Sequence, residues 1–254
     1  MTAQVTDTAM VEYCAEAFHT TERACLSKSI IGPDIGWKAL KNHTKTATVN
    51  VHLDDYDHVA FDLDGTLVDS KAVVESALRR WAREERICPD NAVRMSAARR
   101  DIDLVAAIAP DLSPEREANR IADYEVQAMR LLQPIEGAVE FYSSIPAERR
   151  SIVTSSARVS ALARLEAAGL SWPRIMIAAE DVSQGKPYPQ PYQTLLRMLR
   201  IAGKRCLVFE DSPTGIEAAI AAGCDCVGVG PNARGHPDTR DWIENFAEAS
   251  FQTG

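Results

Sequence analysis

Beyond Pro134 the chain alternates between short apolar runs and helical patterns, and that alternation restricts it to few folds. Ser151 to Thr154 reads as a strand and Val159 to Ala168 as a helix closed by Gly169. Ile175 to Ala179 is again a strand, and Pro191 to Ile201 a helix closed by Gly203. Cys206 to Phe209, a helix from Gly215 to Ala222 closed by Gly223, and a last strand from Cys226 to Val229 complete the series. Short apolar strands, each followed by a helix, predict an α/β core with a parallel sheet covered on both faces. One further strand, His58 to Leu63, stands apart from the series. What separates it is helical: Lys71 to Arg86 carries Val74, Ala77, Leu78 and Trp81 at helical spacing. Ser113-Pro114-Glu115 opens a second long helix towards Leu132, with a capping hydroxyl, proline at the first position and acid in the first turn. Residues 70–133 therefore read as an inserted α-helical cap domain, and 54–69 with 134–254 as the core domain. Residues 1–53 lack the alternation and form an extension of unknown role. Within it, Val11 to Leu26 predicts an amphipathic helix and Gly32 to Asn50 a loop or linker.

Charge and hydropathy exclude several classes of partner. With 36 acidic against 28 basic residues and a net charge of −8, the chain lacks the clustered positive charge that a nucleic-acid backbone demands. No apolar run is long enough to span a bilayer, and no basic segment followed by an apolar one opens the chain, so neither membrane nor export is expected. Six cysteines occur without a CxxC pair, which predicts reduced thiols and a cytoplasmic protein. A binding site for an anion on so acidic a chain needs a local device: a metal ion, a lysine or helix N-termini.

Four clusters can supply that device. Phe61-Asp62-Leu63-Asp64-Gly65-Thr66 ends an apolar strand with two carboxylates two residues apart, which strand periodicity turns to one side. The C-terminal ends of parallel strands are where α/β sheets bind ligands. Two negative charges so close call for a cation, and Mg²⁺ suits a site of few carboxylates completed by water and phosphate. Ile152-Val153-Thr154-Ser155-Ser156 ends another strand in hydroxyls able to hold phosphate oxygens. Gly185-Lys186-Pro187 fixes a lysine between glycine and proline, where its ammonium can offset a phosphoryl group. Phe209-Glu210-Asp211-Ser212-Pro213 ends a third strand in adjacent acids. Each has a plainer reading: an Asx turn, a hydroxyl-rich helix start, a solvated loop lysine, or an N-cap supplied by Asp211 or Ser212. Their conjunction, in order, at three strand ends and one following loop of a single sheet favours a single site.

These motifs resemble the haloacid dehalogenase superfamily, in the group that carries a helical cap after the first strand. The resemblance runs from about Asp57 to Gly230, with Phe61 to Ser70 matching the family's first motif almost letter for letter, Thr154 the second, Lys186 the third, and Glu210 with Asp211 the fourth. It implies a Rossmann-like parallel sheet and an Mg²⁺-dependent phosphatase. Asp62 would be the nucleophile and Asp64 the general acid and base; Thr154 would bind the phosphoryl group and Lys186 offset its charge. Asp62, the Asp64 carbonyl and Asp211 would hold the metal, with Glu210 nearby.

The wording around Glu210 is similar to the sugar-phosphate branch, so the expected partner is a small phosphorylated metabolite; the oligomeric state is left open. Two stretches depart from the family pattern. Gln190 replaces an acid, a change that bears on local structure more than on chemistry. The helical insert reads Ala97-Ala98-Arg99-Arg100-Asp101 where relatives often carry Gly-Arg, so Arg99 and Arg100, with Ser155, are candidate substrate contacts, the arginines weighed equally against a solvated basic face. A β-phosphoglucomutase-like sugar phosphomutase needs the same residues, and a non-catalytic phosphate-binding or scaffolding protein would have no use for Asp64. A dehalogenase would not need the second acidic cluster.

Overall fold

The computed structural model describes residues 47–96, 99–247 and 249–252, with the backbone alone for 47–51 and 249–252. The helix predicted around Val11 to Leu26, together with Cys14 and Cys25, lies outside the described residues. The strands are β1 (Ala47–His52), β2 (His58–Phe61), β3 (Val68–Asp69), β4 (Gln133–Pro134), β5 (Arg150–Val153), β6 (Met176–Ile177), β7 (Cys206–Glu210), β8 (Asp225–Val229), β9 (Asp241–Ile243) and β10 (Ala249–Gln252). The helices are α1 (Lys71–Glu84), α2 (Pro89–Ser96), α3 (Asp101–Ile108), α4 (Pro114–Gln127), α5 (Ala138–Ser144), α6 (Arg158–Ala167), α7 (Gln190–Leu199) and α8 (Pro213–Ala221).

The main sheet has six strands in the order β6-β5-β2-β7-β8-β9. Every pairing in it is parallel. β2 lies between β5 and β7, so the chain order reverses there, and the C-terminal ends of these three strands share one edge.

Alternate residues of each strand enter two cores. Val59, Phe61, Ile152, Leu207 and Phe209 face α5 and α6 through Tyr142, Ala161 and Leu165. Ala60, Val153, Cys206, Val208 and Cys226 face α7 and α8 through Tyr192, Leu195 and Ile216. Both faces of the sheet are thereby covered, which is why consecutive residues of β2, β5, β7 and β8 are buried and not only alternate ones. The Phe61 and Phe209 rings stack with centroids 5.2 Å apart and fix the register of β2 against β7 just below the strand ends. An aromatic pair of this kind adds about 1 kcal/mol beyond its area burial.

The helices α1 to α4 form their own core of Leu78, Trp81, Leu104, Val105 and Ile121. Ser113 caps α4 through the amide of Arg116, as the sequence indicates. That helix stops at Gln127, short of Leu132, and a 3₁₀ turn over Met129–Leu131 follows. The block leaves and rejoins the sheet through one antiparallel ladder, where Val68 pairs with Pro134 and Asp69 with Gln133.

Other elements depart from the sequence reading. Residues 47–50, read as part of a linker, belong to β1, which pairs in parallel with β10. Val229 does not end the last strand, because β9 adds to the edge of the main sheet beside β8. Helix α7 closes at Arg200, in the left-handed conformation at φ +59°, and Gly203 opens the next 3₁₀ turn instead. No helix among the described residues is long and apolar enough to cross a membrane. Cys88, Cys206, Cys224 and Cys226 are free thiols, all buried except Cys88.

His58, at the start of β2, is 3% exposed and its Nε2 has no partner. Burial, reinforced by the Arg149 guanidinium, pushes its pKa down from 6.5 to about 4. The unfolded chain therefore takes up this proton before the folded one does, so the stability His58 contributes is complete above 6.5 and is lost as pH falls towards 4. Thermal midpoints measured from pH 7 to pH 4 are expected to fall less steeply for His58→Leu than for the wild type. Parallel slopes would remove His58 from the acid response.

Candidate active site

At the end of β2 the backbone N–H of Asp62 still donates to Phe209 O at 2.9 Å, so Asp62 keeps strand geometry after the apolar run ends. The chain then turns sharply. Gly65 N–H donates to Val68 O at 2.7 Å, and Gly65 takes φ +88°. A Cβ there would lie 2.2 Å from Asp211 Oδ2, so only glycine allows the β7 loop to approach the β2 loop this closely. Gly215 does the same for Glu210: a Cβ would meet Glu210 Oε1 at 2.0 Å, and without one α8 can start directly over that carboxylate. Ser212 caps α8 through the amide of Gly215 at 3.1 Å. The capping role weighed for Asp211 thus falls to its neighbour.

Lys186 is not a solvated loop lysine. Its side chain is 3% exposed, and Nζ donates to Asp62 Oδ1 at 2.7 Å, to Val153 O at 3.0 Å and to Glu210 Oε1. Burial works against the ammonium, but Asp62 and Glu210 together raise its pKa above the ordinary lysine value. Gln190, the departure from the acidic pattern, accepts from the amide of Gln184 at 2.6 Å and from Ser183 at 3.1 Å, and so steadies the loop that carries Lys186. Glu210 has both oxygens engaged: Tyr192 donates to Oε1 at 2.8 Å, and Ser212 Oγ to Oε2 at 3.2 Å.

Asp62, Glu210 and Asp211 bring ligand oxygens within 4.8 Å of one another. Asp62 Oδ2 is buried and unpartnered. Burial first, then the Glu210 and Asp64 charges, raise Asp62 to about 7 against the pull of Lys186. Burial followed by the Asp62 and Glu210 charges raises Asp211 to about 9. Carboxylates crowded in this way hold protons unless a cation takes their place, and an all-oxygen donor set suits a hard divalent ion such as Mg²⁺.

Asp64 faces the β5 end. Its Oδ2 accepts from Thr154 Oγ1 at 3.4 Å, from Ser156 Oγ at 2.8 Å and from Arg164 at 2.9 Å, while its Oδ1 is buried without a partner. Ser155 is half-buried on the same turn. The two arginines of the insert separate. Arg99 is exposed. Arg100 spends its guanidinium on Asp103 at 2.6 Å and on the carbonyls of Val182 at 2.7 Å and Ser183 at 3.0 Å, so it ties α3 to the loop before Lys186 instead of meeting the carboxylates.

Sequence reasoning did not single out Arg164, Glu125 or Tyr192. A signal for Arg164 exists: it lies among Ala161, Leu165 and Ala168 on the apolar side of α6, and an arginine in such a stripe must find a buried partner.

The model of the haloacid dehalogenase-like hydrolases matches residues 56–223, and the chain belongs to that family. It is 33% identical to hexitol phosphatase A of Escherichia coli over 66% of this chain and 81% of that one. To glycerol-1-phosphate phosphohydrolase 2 of Saccharomyces cerevisiae it is 30% identical, over 66% of this chain and 72% of that one. Among solved structures, CbbY from Rhodobacter sphaeroides in complex with phosphate superposes with a TM-score of 0.66 at 19% identity, covering 76% of this chain and 96% of that one, a likeness of fold. The chain is a phosphoric monoester hydrolase of the family.

Proposed function

We propose that this enzyme hydrolyses a small sugar or polyol phosphate with magnesium, through a phosphoryl group carried on Asp62. The observation that carries the reading is the pairing on one carboxylate: Lys186 Nζ holds Asp62 Oδ1 at 2.7 Å, while Oδ2 of the same side chain is buried and unspent. A structural ion pair has no need to leave a buried oxygen bare. The substrate class is supported by the relatives, whose names specify hexitol and glycerol phosphates.

The chemistry follows from the groups in place. Asp62 attacks phosphorus as the ester P–O bond breaks, and Asp64 gives its proton to the departing alkoxide. Asp64 then takes a proton from water as that water attacks the aspartyl phosphate, which releases inorganic phosphate and restores Asp62. Lys186 offsets the phosphoryl charge, and the hydroxyls of Thr154 and Ser155 bind its oxygens. Asp62, Asp211 and the Asp64 carbonyl would hold Mg²⁺, with Glu210 nearby; bound there, the ion would supply positive charge to offset that of the transferring group. Residues 70–133 act as a cap over the strand ends carried by a core of 54–69 and 134–254. The free thiols support work in the reducing cytoplasm.

The test is release of inorganic phosphate from a panel of hexitol, glycerol and sugar phosphates. Turnover of at least one is expected with Mg²⁺, falling more than about 100-fold when EDTA strips the ion. Absence of release across the panel would overturn the reading. Isomerisation of a sugar 1-phosphate without net phosphate would replace it with a phosphomutase.

A further inference from the structure

Arg164 has no part in the scheme above, yet its side chain is wholly buried and touches one of the reacting groups. It projects from α6. One guanidinium nitrogen lies 2.9 Å from Asp64 Oδ2 and also meets Ser156 Oγ. A second forms an ion pair with Glu125 Oε1 at 2.8 Å, and Glu125, 4% exposed, belongs to α4 of the helical block. A single buried cation thus joins a carboxylate on the sheet's first loop to a carboxylate on the insert.

The energetics give this bridge a direction. A buried charge is costly unless it is paired. Arg164 has Glu125 of α4 and the nearby Asp101 charge of α3 beside it only while the helical block lies against α6, and a displaced block leaves Asp64 as its sole carboxylate. Asp64 is fixed differently at its two oxygens: Oδ2 accepts from Thr154, Ser156 and Arg164, whereas Oδ1 is buried without a partner. A carboxyl gripped at one oxygen presents the other in a fixed direction, and proton transfer to a leaving group needs that direction.

We propose that Arg164 is a positioning residue for the acid–base group Asp64, and that its ion pair with Glu125 makes this positioning depend on the seating of the helical block. The inference rests on the hydrolase reading above. It places the coupling between cap and chemistry in one cation, with no contact from Arg164 to the substrate.

The test exploits leaving groups. An alkyl phosphate departs only with a proton from Asp64, whereas p-nitrophenolate departs without one. Arg164→Gln is expected to lower kcat/KM for the best alkyl phosphate by about 100-fold, the low end of a general-acid contribution, and that for p-nitrophenyl phosphate by less than about tenfold. Because Asp64 also activates water in the second step, the variant should show a burst of p-nitrophenol followed by a slow steady state. Glu125→Gln, which keeps size and leaves Arg164 in place, should show the same selectivity at about a tenth of the magnitude, and Arg164→Lys should recover part of the alkyl rate. Equal losses on both substrates in Arg164→Gln, or an unselective Glu125→Gln, overturn the proposal while wild-type turnover upholds the hydrolase reading. Should Arg164→Gln fail to fold, the selectivity of Glu125→Gln and Arg164→Lys decides alone. A wild type that cleaves neither substrate fails the hydrolase reading and takes the inference with it.

Discussion

Asp62→Asn is expected to abolish turnover, with kcat down by a factor of about 10⁴ or more and the fold intact. The amide is nearly isosteric, but a neutral nitrogen or oxygen cannot attack phosphorus as the carboxylate does. The change also removes one negative charge from a cluster in which Asp62, Glu210 and Asp211 crowd together with ligand oxygens within 4.8 Å. Burial already raises Asp62 to about 7, so the folded chain carries a cost for ionising it. Metal-free Asp62→Asn should therefore melt no lower than metal-free wild type, while its stabilisation by added Mg²⁺ shrinks. A variant with wild-type turnover would refute the nucleophile assignment, and one that melts far lower would show that Asp62 is a structural counter-ion to Lys186 first and a nucleophile second.

The second large effect is expected from Lys186→Met. Nζ serves two carboxylates and a carbonyl at once in a site with almost no solvent. Methionine fills the space and leaves Asp62 and Glu210 facing each other with no cation between them. Breaking a buried ion pair at one partner costs about 3–5 kcal/mol, so a fall in thermal midpoint of several degrees is expected in metal-free protein. Removal of a positioned charge from the phosphoryl group should lower kcat about 10²- to 10³-fold. Added Mg²⁺ is expected to restore more stability to this variant than to the wild type, because the ion replaces the missing positive charge, yet to leave kcat low. Calorimetry with and without Mg²⁺, read beside phosphate release, separates the two effects. Recovery of both by the ion would assign Lys186 to folding alone.

The carboxylates and the lysine were legible in the sequence because each lies where a local rule acts. Asp62 and Asp64 follow an apolar strand at its period of two, Glu210 and Asp211 end another, and Lys186 lies between glycine and proline. Strands β2, β5, β7 and β8 were legible for a related reason: they are buried on both faces, and each carries a short, mainly apolar stretch, Val59–Phe61, Ile152–Val153, Cys206–Phe209 and Cys226–Val229. What escaped depends on partners distant in sequence. Three-residue β9 is a strand because β8 offers it an edge, and β1 because β10 does. Arg164 is explained only by Asp64, 100 residues before it, and by Glu125 on another helix. For Arg100 a substrate contact and a solvated basic face weighed equally in the sequence, because nothing local reveals the carbonyls of Val182 and Ser183 that it meets.

The two-residue ladder between Val68–Asp69 and Gln133–Pro134 has a consequence for ancestry as well as for motion. Entrance and exit of more than sixty intervening residues are sewn together side by side, so the sheet experiences the whole insertion as though it were one tight hairpin. A lineage can lengthen, shorten or exchange everything beyond that stitch while the reacting groups stay where they are, and new substrates become reachable without rebuilding the catalytic floor.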